Sequence, residues 1–157
     1  MPSDAVSHPR ARAGARLVLA AVYAGIGVVH VTKSDAFLPI MPDWVPQPRD
    51  VVLATGVCEL AGSVALLTPR LRRAAGWAFA AYAVCVYPAN VKHAIDNVNV
   101  PPIPSSWWYH GPRLAFQPVF VWWALWAAGV VDWPFGGRPP QKVHAVETRR
   151  GRGTTRH

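Results

Sequence analysis

The sequence predicts an all-α fold: a polytopic membrane four-helix bundle with both termini cytoplasmic and a Pro-rich outer loop between helices 1 and 2. Three observations predict it. Four blocks of the chain are apolar almost all round, the charges collect in the tails and between those blocks, and the cations alternate from loop to loop as in a multi-pass topology. The chain has 157 residues, enough for one domain and one core. Its residues are 52% hydrophobic and 15% charged, whereas an ordinary soluble domain devotes about a quarter of its residues to charge. The net charge is nonetheless +8, and there are eight tryptophans. The expected organisation is a basic N-terminal tail over 1–15, a four-helix transmembrane domain over 16–135 and a basic disordered tail over 136–157.

The first apolar block is Leu17 to Val31, preceded by Arg10, Arg12 and Arg16. Its basic flank also suits a cleaved signal peptide, but removing it would leave three spans and upset the charge alternation. The second block, Val51 to Leu67, is separated from the third, Ala74 to Val91, by Arg70, Arg72 and Arg73. The fourth, Leu114 to Val131, is followed by Arg138, Lys142, Arg149, Arg150, Arg152 and Arg156. The three cation-rich regions belong on the cytoplasmic side. As helices the blocks would be roughly 22–27 Å long, within reach of a hydrocarbon core of about 30 Å when flanking residues snorkel. The predicted location is therefore the cell (inner) membrane, with the lipid bilayer as the first partner.

The two outer loops carry few cations. "KSDAFLPIMPDWVPQPRD" holds four prolines, which exclude a regular helix. Its Phe37, Leu38, Ile40, Met41, Trp44 and Val45 need cover, so it is either a lid over the bundle mouth or a stiff connector, with Trp44 as an interfacial anchor. "NVNVPPIPSSWWYHG" places Trp107, Trp108 and Tyr109 at an aromatic belt and Pro112 in the first turn of the fourth helix. The tail after Gly136 is rich in Arg, Gly and Thr and suits contact with anionic headgroups. Nucleic-acid binding is not expected, since no basic fold with interleaved aromatics accompanies those charges.

Cys58 and Cys85 lie far apart inside apolar blocks. That spacing argues against a disulfide scaffold, a zinc site or a thiol relay, and both read as small apolar packing residues.

Glu59 is the most informative residue. It sits about 13 Å along the second helix from its outer end, where a carboxyl is costly and faces a partner or water. Thr55, Gly56, Gly62 and Ser63, three and four residues away, form a small, weakly polar stripe that turns it into the bundle. His30 ends the first helix, Asn90 and His93 lie one turn apart at the outer end of the third, and Arg113 and Gln117 at the outer start of the fourth. With alternating helix directions all converge on the outer half, and Arg113 is the expected partner of Glu59 or of an anionic ligand group. Pro88 and Pro118 interrupt the third and fourth helices, freeing carbonyls that Asn90, Lys92 or Gln117 are placed to satisfy. His30, Glu59 and His93 were they to meet would suit a two-histidine, one-carboxylate metal site, but their depths differ and the tight i, i+3 pairing of bundle metal sites is missing, so no metal is expected.

The stretches "GVVHVTKSDAFLPIMPDWVP", "TGVCELAGSVALLTPRLRRAAGW", "VYPANVKHAID" and "RLAFQPVFVWWALW" together resemble the DoxX-like membrane proteins, over about His30 to Trp126. The resemblance implies a four-helix integral membrane protein. Founding members of the wider family are linked to quinone-dependent oxidation of sulfur compounds, others to membrane complexes that handle oxidative stress. Carried over by position, its motif residues here are His30, Glu59, Asn90, Arg113 and Gln117. No intrinsic cofactor is expected. The leading functional expectation is a redox-associated subunit, non-catalytic on its own, that binds a quinone or similar amphiphile, together with a redox partner protein. The alternatives are a scaffold or lipid-binding protein whose polar set locks helix packing, and a small transporter or proton relay through Glu59, for which no inverted repeat is evident.

Overall fold

A computed structural model describes residues 8–100 and 104–135, and among these residues the fold is all-helical, with no strand. Six α-helices run α1 Pro9–Thr32, α2 Pro48–Leu67, α3 Arg72–Cys85, α4 Tyr87–Ile95, α5 Trp107–Ala115 and α6 Gln117–Ala127. A 3-10 helix, Ser34–Ile40, follows α1. α1 and α2 are long and apolar enough to cross a membrane, by length and composition. The third block falls on two shorter helices, broken at Val86; the fourth holds only the end of α5 and then α6, broken at Phe116 and ending at Ala127 instead of Val131. Both breaks lie two residues before a proline, Pro88 and Pro118. A proline ring clashes with the preceding turn and offers no N–H, so the regular ladder ends just before it.

α1, α2, α3 and α6 form a closed ring of neighbours, and α4 packs with α5 at one end of it. Each helix buries a narrow stripe. On α2 the buried positions are Val52, Gly56, Glu59, Ser63 and Leu66, a repeat of four and three that keeps one line of residues inward. Glycine sets the closest approach. A Cβ on Gly27 would lie 2.9 Å from the Gly56 carbonyl oxygen, and one on Gly56 would lie 2.9 Å from His30 Cβ. The small-residue stripe thus lets α1 and α2 touch backbone to backbone. Gly62 receives the Phe79 ring and Gly76 receives Ala128 in the same way. The core between them gathers Leu19, Ala20, Tyr23, Leu66, Ala75, Phe79, Ala80, Ala124 and Ala128.

Several boundaries differ from the sequence reading. α1 starts at Pro9, so the second half of the expected N-terminal tail is helix, and Arg12 is buried rather than a solvated flank charge. Its guanidinium donates to Trp126 O and Val131 O at 3.1 Å each, pairs with the Asp132 carboxylate and lies 5.0 Å from the Trp126 ring centroid. Arg16 donates to Ala127 O at 3.0 Å. The last carbonyls of α6, orphaned by the helix end, thereby gain cationic donors where the helix dipole favours them. Trp107, Trp108 and Tyr109 open α5 instead of lying in a loop, and Pro112 stands inside α5, not in the first turn of a fourth helix. Cys58 and Cys85 are free, exposed thiols on outward faces, not packed inside. The basic tail over 136–157 lies outside the described residues.

The first outer loop is a cover. Ile40 and Ser34 of the 3-10 helix are buried, and that helix packs on α1, α2 and α4. Lys92 of α4 reaches Asp43 at 2.5 Å, tying the loop across the end of the bundle.

Candidate functional site

The α1–α2 crossing at Gly27 and Gly56 brings His30 onto Glu59. The carboxyl is 1% exposed, and both its oxygens are engaged: Oε2 is 2.6 Å from His30 Nδ1, and Tyr82 of α3 donates its hydroxyl to Oε1 at 2.6 Å. These two hydrogen bonds satisfy a carboxyl group that burial would otherwise make costly. Aromatic rings fix the partners. Phe37 from the 3-10 helix meets His30 edge-on at 4.4 Å, Tyr23 meets Tyr82 edge-on at 5.8 Å, and Tyr23 stacks on Phe79 at 4.1 Å. Ser63, on the same stripe, spends its hydroxyl on the Glu59 backbone carbonyl at 2.7 Å and does not reach the carboxyl.

A second cluster joins α4 to α5. Arg113 donates to Asn90 Oδ1 at 2.6 Å and makes a longer contact, 3.4 Å, with His93 Nδ1, while its guanidinium lies 5.8 Å from the Tyr109 ring. A guanidinium only donates, so His93 accepts there in its neutral form. His93 and His110 are fully buried and meet edge-on at 4.5 Å. His93 Nε2 and both ring nitrogens of His110 have no hydrogen-bond partner among the described residues.

Gln117, the first residue of α6, donates its side-chain amide to Ala83 O, one turn before the break at Val86. The side chain thus supplies a donor where the α3–α4 break interrupts the backbone ladder.

These groups surround a cavity of about 1090 Å³. His30, Glu59, Tyr82, Asn90, Arg113 and Gln117 contribute to its wall, and the rest of the lining is chiefly aliphatic and aromatic, including Phe37, Ile40 and Met41 of the covering loop. Five of the six sequence-predicted residues therefore share one cavity, while His93 stands outside the lining, against Arg113 and His110. The expected pairing of Arg113 with Glu59 is not formed: Glu59 is held by His30 and Tyr82, and Arg113 by Asn90 and His93. The three residues weighed as metal ligands are divided between the two clusters, and among the described residues no group of three or more His, Cys, Asp or Glu is arranged to hold a metal ion.

Residues 19–128 match the family described as "Domain of unknown function (DUF8561)", which covers more than half of the chain. The chain belongs to this family. No curated protein and no solved structure matches it. The DUF8561 match takes in every group of both clusters and of the cavity wall, and it excludes Arg12 and Arg16 at the other end of the bundle.

Within the DUF8561 region the sequence reading passed over Tyr82, Tyr23 and His110. Tyr82 carried a signal: its hydroxyl lies in the middle of a charge-free run, and a buried phenol requires a partner. Glu59, at a similar depth on the preceding helix, was the acceptor to look for. His110 gave none, because it stands in a segment rich in proline and tryptophan that resembles an interfacial loop.

Proposed function

We propose that this is a multi-pass membrane protein whose outer-half cavity binds a quinone or a similar amphiphile, serving as a redox-associated subunit of the kind that the resemblance to DoxX-like proteins suggests. In this reading α3–α4 and α5–α6 each act as one kinked span, giving four spans with both termini cytoplasmic. The outward faces support it. Leu17, Val18, Val57, Val64, Trp77 and Val84 are all exposed although apolar. A water-soluble core helix hides such residues, whereas a bilayer solvates them.

The observation that carries the ligand reading is the cavity itself, with two polar clusters on one otherwise apolar wall. Arg113 and Gln117 offer donors toward a head-group oxygen, and the Glu59–His30 pair is the arrangement through which a proton would be exchanged. Aromatic and aliphatic side chains would cover the hydrophobic part of the ligand. Mass spectrometry of small molecules co-purified with wild type and with Glu59→Gln tests this directly. A quinone retained by wild type and depleted in Glu59→Gln is expected; wild-type protein that neither retains nor binds quinone refutes the reading.

A scaffold role is favoured by one specific observation: Glu59, Arg113 and Gln117 already bond to protein groups on other helices. It requires Glu59→Gln and Arg113→Ala to lower thermal stability with no change in any bound molecule.

A further inference from the structure

Two lines of residues line the cavity and are exposed at the same time. On α1 these are Val22, Ile26 and Val29, 48%, 40% and 40% exposed and spaced so as to share one helical face. On α5 and its junction with α6 they are Trp108, Pro112 and Phe116, again one face at intervals of four. Residues that are both wall and surface mark a mouth. Packing explains why it stays open: α1 packs on α2, on α6 and on the 3-10 helix, whereas α5 packs on α4 and α6, and among the described residues α1 and α5 do not pack on each other as these pairs do. Where α1 does meet α6, Arg12 and Arg16 hold the opposite end shut through Trp126 and Ala127.

We infer that the cavity opens sideways, between α1 and α5–α6, directly into the hydrocarbon of the bilayer, and that the apolar chain of the bound amphiphile runs out through this seam. This rests on the membrane reading above. Both rims are aliphatic or aromatic, with no charged side chain among the six, so water gains nothing there and a hydrocarbon chain loses nothing. The polar groups stand behind these rims and are less exposed than they are: His30 and Glu59 where α1 meets α2, and Asn90, Arg113 and Gln117 from α4, α5 and α6. An amphiphile entering head first from the bilayer meets them in the order that its own polarity dictates. The volume agrees: about 1090 Å³ is slightly above the roughly 300–1,000 Å³ that encloses an entire drug-sized molecule, leaving room for the first part of a chain behind the head group. The 3-10 helix, seated on α1, α2 and α4 with Ile40 buried, covers the aqueous end, so the direct path from water is the obstructed one.

The test places a thiol inside the cavity and asks from which side it is reached. Full-length protein carrying Thr55→Cys, with Cys58→Ser and Cys85→Ser to remove native thiols, is reconstituted in vesicles of phosphatidylcholine and phosphatidylglycerol. Thr55 lines the cavity next to Glu59. Labelling is followed with bilayer-dissolved pyrene maleimide and with a water-soluble, anionic methanethiosulfonate, each rate normalised to the detergent-unfolded protein. Faster labelling by the lipid-borne reagent is expected, slowed about tenfold by adding Ile26→Trp at the rim and unaffected by Ile26→Leu. Ile26 is exposed, so the indole needs no repacking. Labelling led by the aqueous reagent, or unchanged by Ile26→Trp, overturns the lateral mouth. Protein that will not enter the vesicles overturns the mouth and the membrane reading together. Added decylubiquinone should slow pyrene labelling; if it does not while the Ile26→Trp effect stands, the quinone assignment falls and the mouth is retained.

Discussion

Gly56→Ala tests the link between helix packing and the Glu59 cluster with a single methyl group. An added Cβ would lie 2.9 Å from His30 Cβ, 2.9 Å from Val31 Cγ2 and 3.0 Å from the Gly27 carbonyl oxygen. Carbon atoms rest at roughly 3.5–4.0 Å, so α1 and α2 must separate by roughly 0.6–1.1 Å. The neighbours that would have to yield are backbone or helix-anchored atoms, not the ends of flexible chains. The same movement carries His30 away from Glu59, stretching a 2.6 Å contact to or past the ~3.2 Å limit of a hydrogen bond. Overpacking costs about 1–3 kcal/mol and loss of a charged hydrogen bond about 1.5–3 kcal/mol, against a gain of about 0.5–1 kcal/mol from alanine in a helix. The net loss of about 2–5 kcal/mol lowers Tm by roughly 4–20 °C for a chain of this size. Intrinsic fluorescence melting of the detergent-solubilised protein measures it. Gly14→Ala is the control, because nothing lies within 4 Å of a Cβ built there; it should stabilise the protein by about 0.5–1 kcal/mol. If Gly56→Ala melts with or above the wild type, α1 and α2 do not cross as described.

Arg12→Met leaves the carbonyls of Trp126 and Val131 without their shared donor, while Asp132, 68% exposed, turns to water; about 1–3 kcal/mol of stability should be lost, chiefly from the carbonyls, while Arg10→Met, at an exposed position, should fall within about 0.5 kcal/mol of wild type. Equal melting of the two would remove the buried cap from the account. Tyr82→Phe should cost about 1.5–3 kcal/mol through the lost bond to Glu59, and in a double-mutant cycle with Glu59→Leu the two effects should be strongly non-additive; simple additivity would show that the hydroxyl is held elsewhere.

The helical class, the four apolar blocks and the wall residues His30, Glu59, Asn90, Arg113 and Gln117 were legible in the sequence because each depends on local composition or depth along a single helix. Glu59 could be placed by counting turns, and the stripe around Gly56 and Ser63 gave its direction. Which polar groups pair across helices depends on rotation and crossing, and those are settled by contacts distant in sequence. Thus Arg113, the charge opposite in sign to Glu59, pairs with Asn90 and His93 while a tyrosine and a histidine hold the carboxyl. Prolines announced the two breaks, yet the aromatic residues before Pro112 read as an interfacial loop, and nothing local showed that they open α5. Arg12 was obscured by its neighbours: among Arg10, Arg12 and Arg16, a basic flank by composition, nothing local tells which cation turns inward to cap α6.

The two ends of the bundle differ in a way that bears on the choice between scaffold and binding protein. At the end closed by Arg12, small residues admit their neighbours: Gly62 takes the Phe79 ring, Gly76 takes Ala128, and the core is dense. At the other end Pro88 and Pro118 stand where the helices break, and Val86, Pro88, Phe116 and Gln117 border the cavity. A protein that needed its polar residues only to lock packing would gain by closing that space, since unfilled apolar volume forfeits dispersion contacts and destabilises in proportion to its size. An opening of about 1090 Å³ is far beyond the few small voids that an interior tolerates. Polar residues here tie α4 to α5 and α6 to α3 around the space without filling it, and the 3-10 helix covers it. That arrangement favours the proposed binding role over the scaffold, because it keeps open a space with polar groups on an otherwise apolar wall.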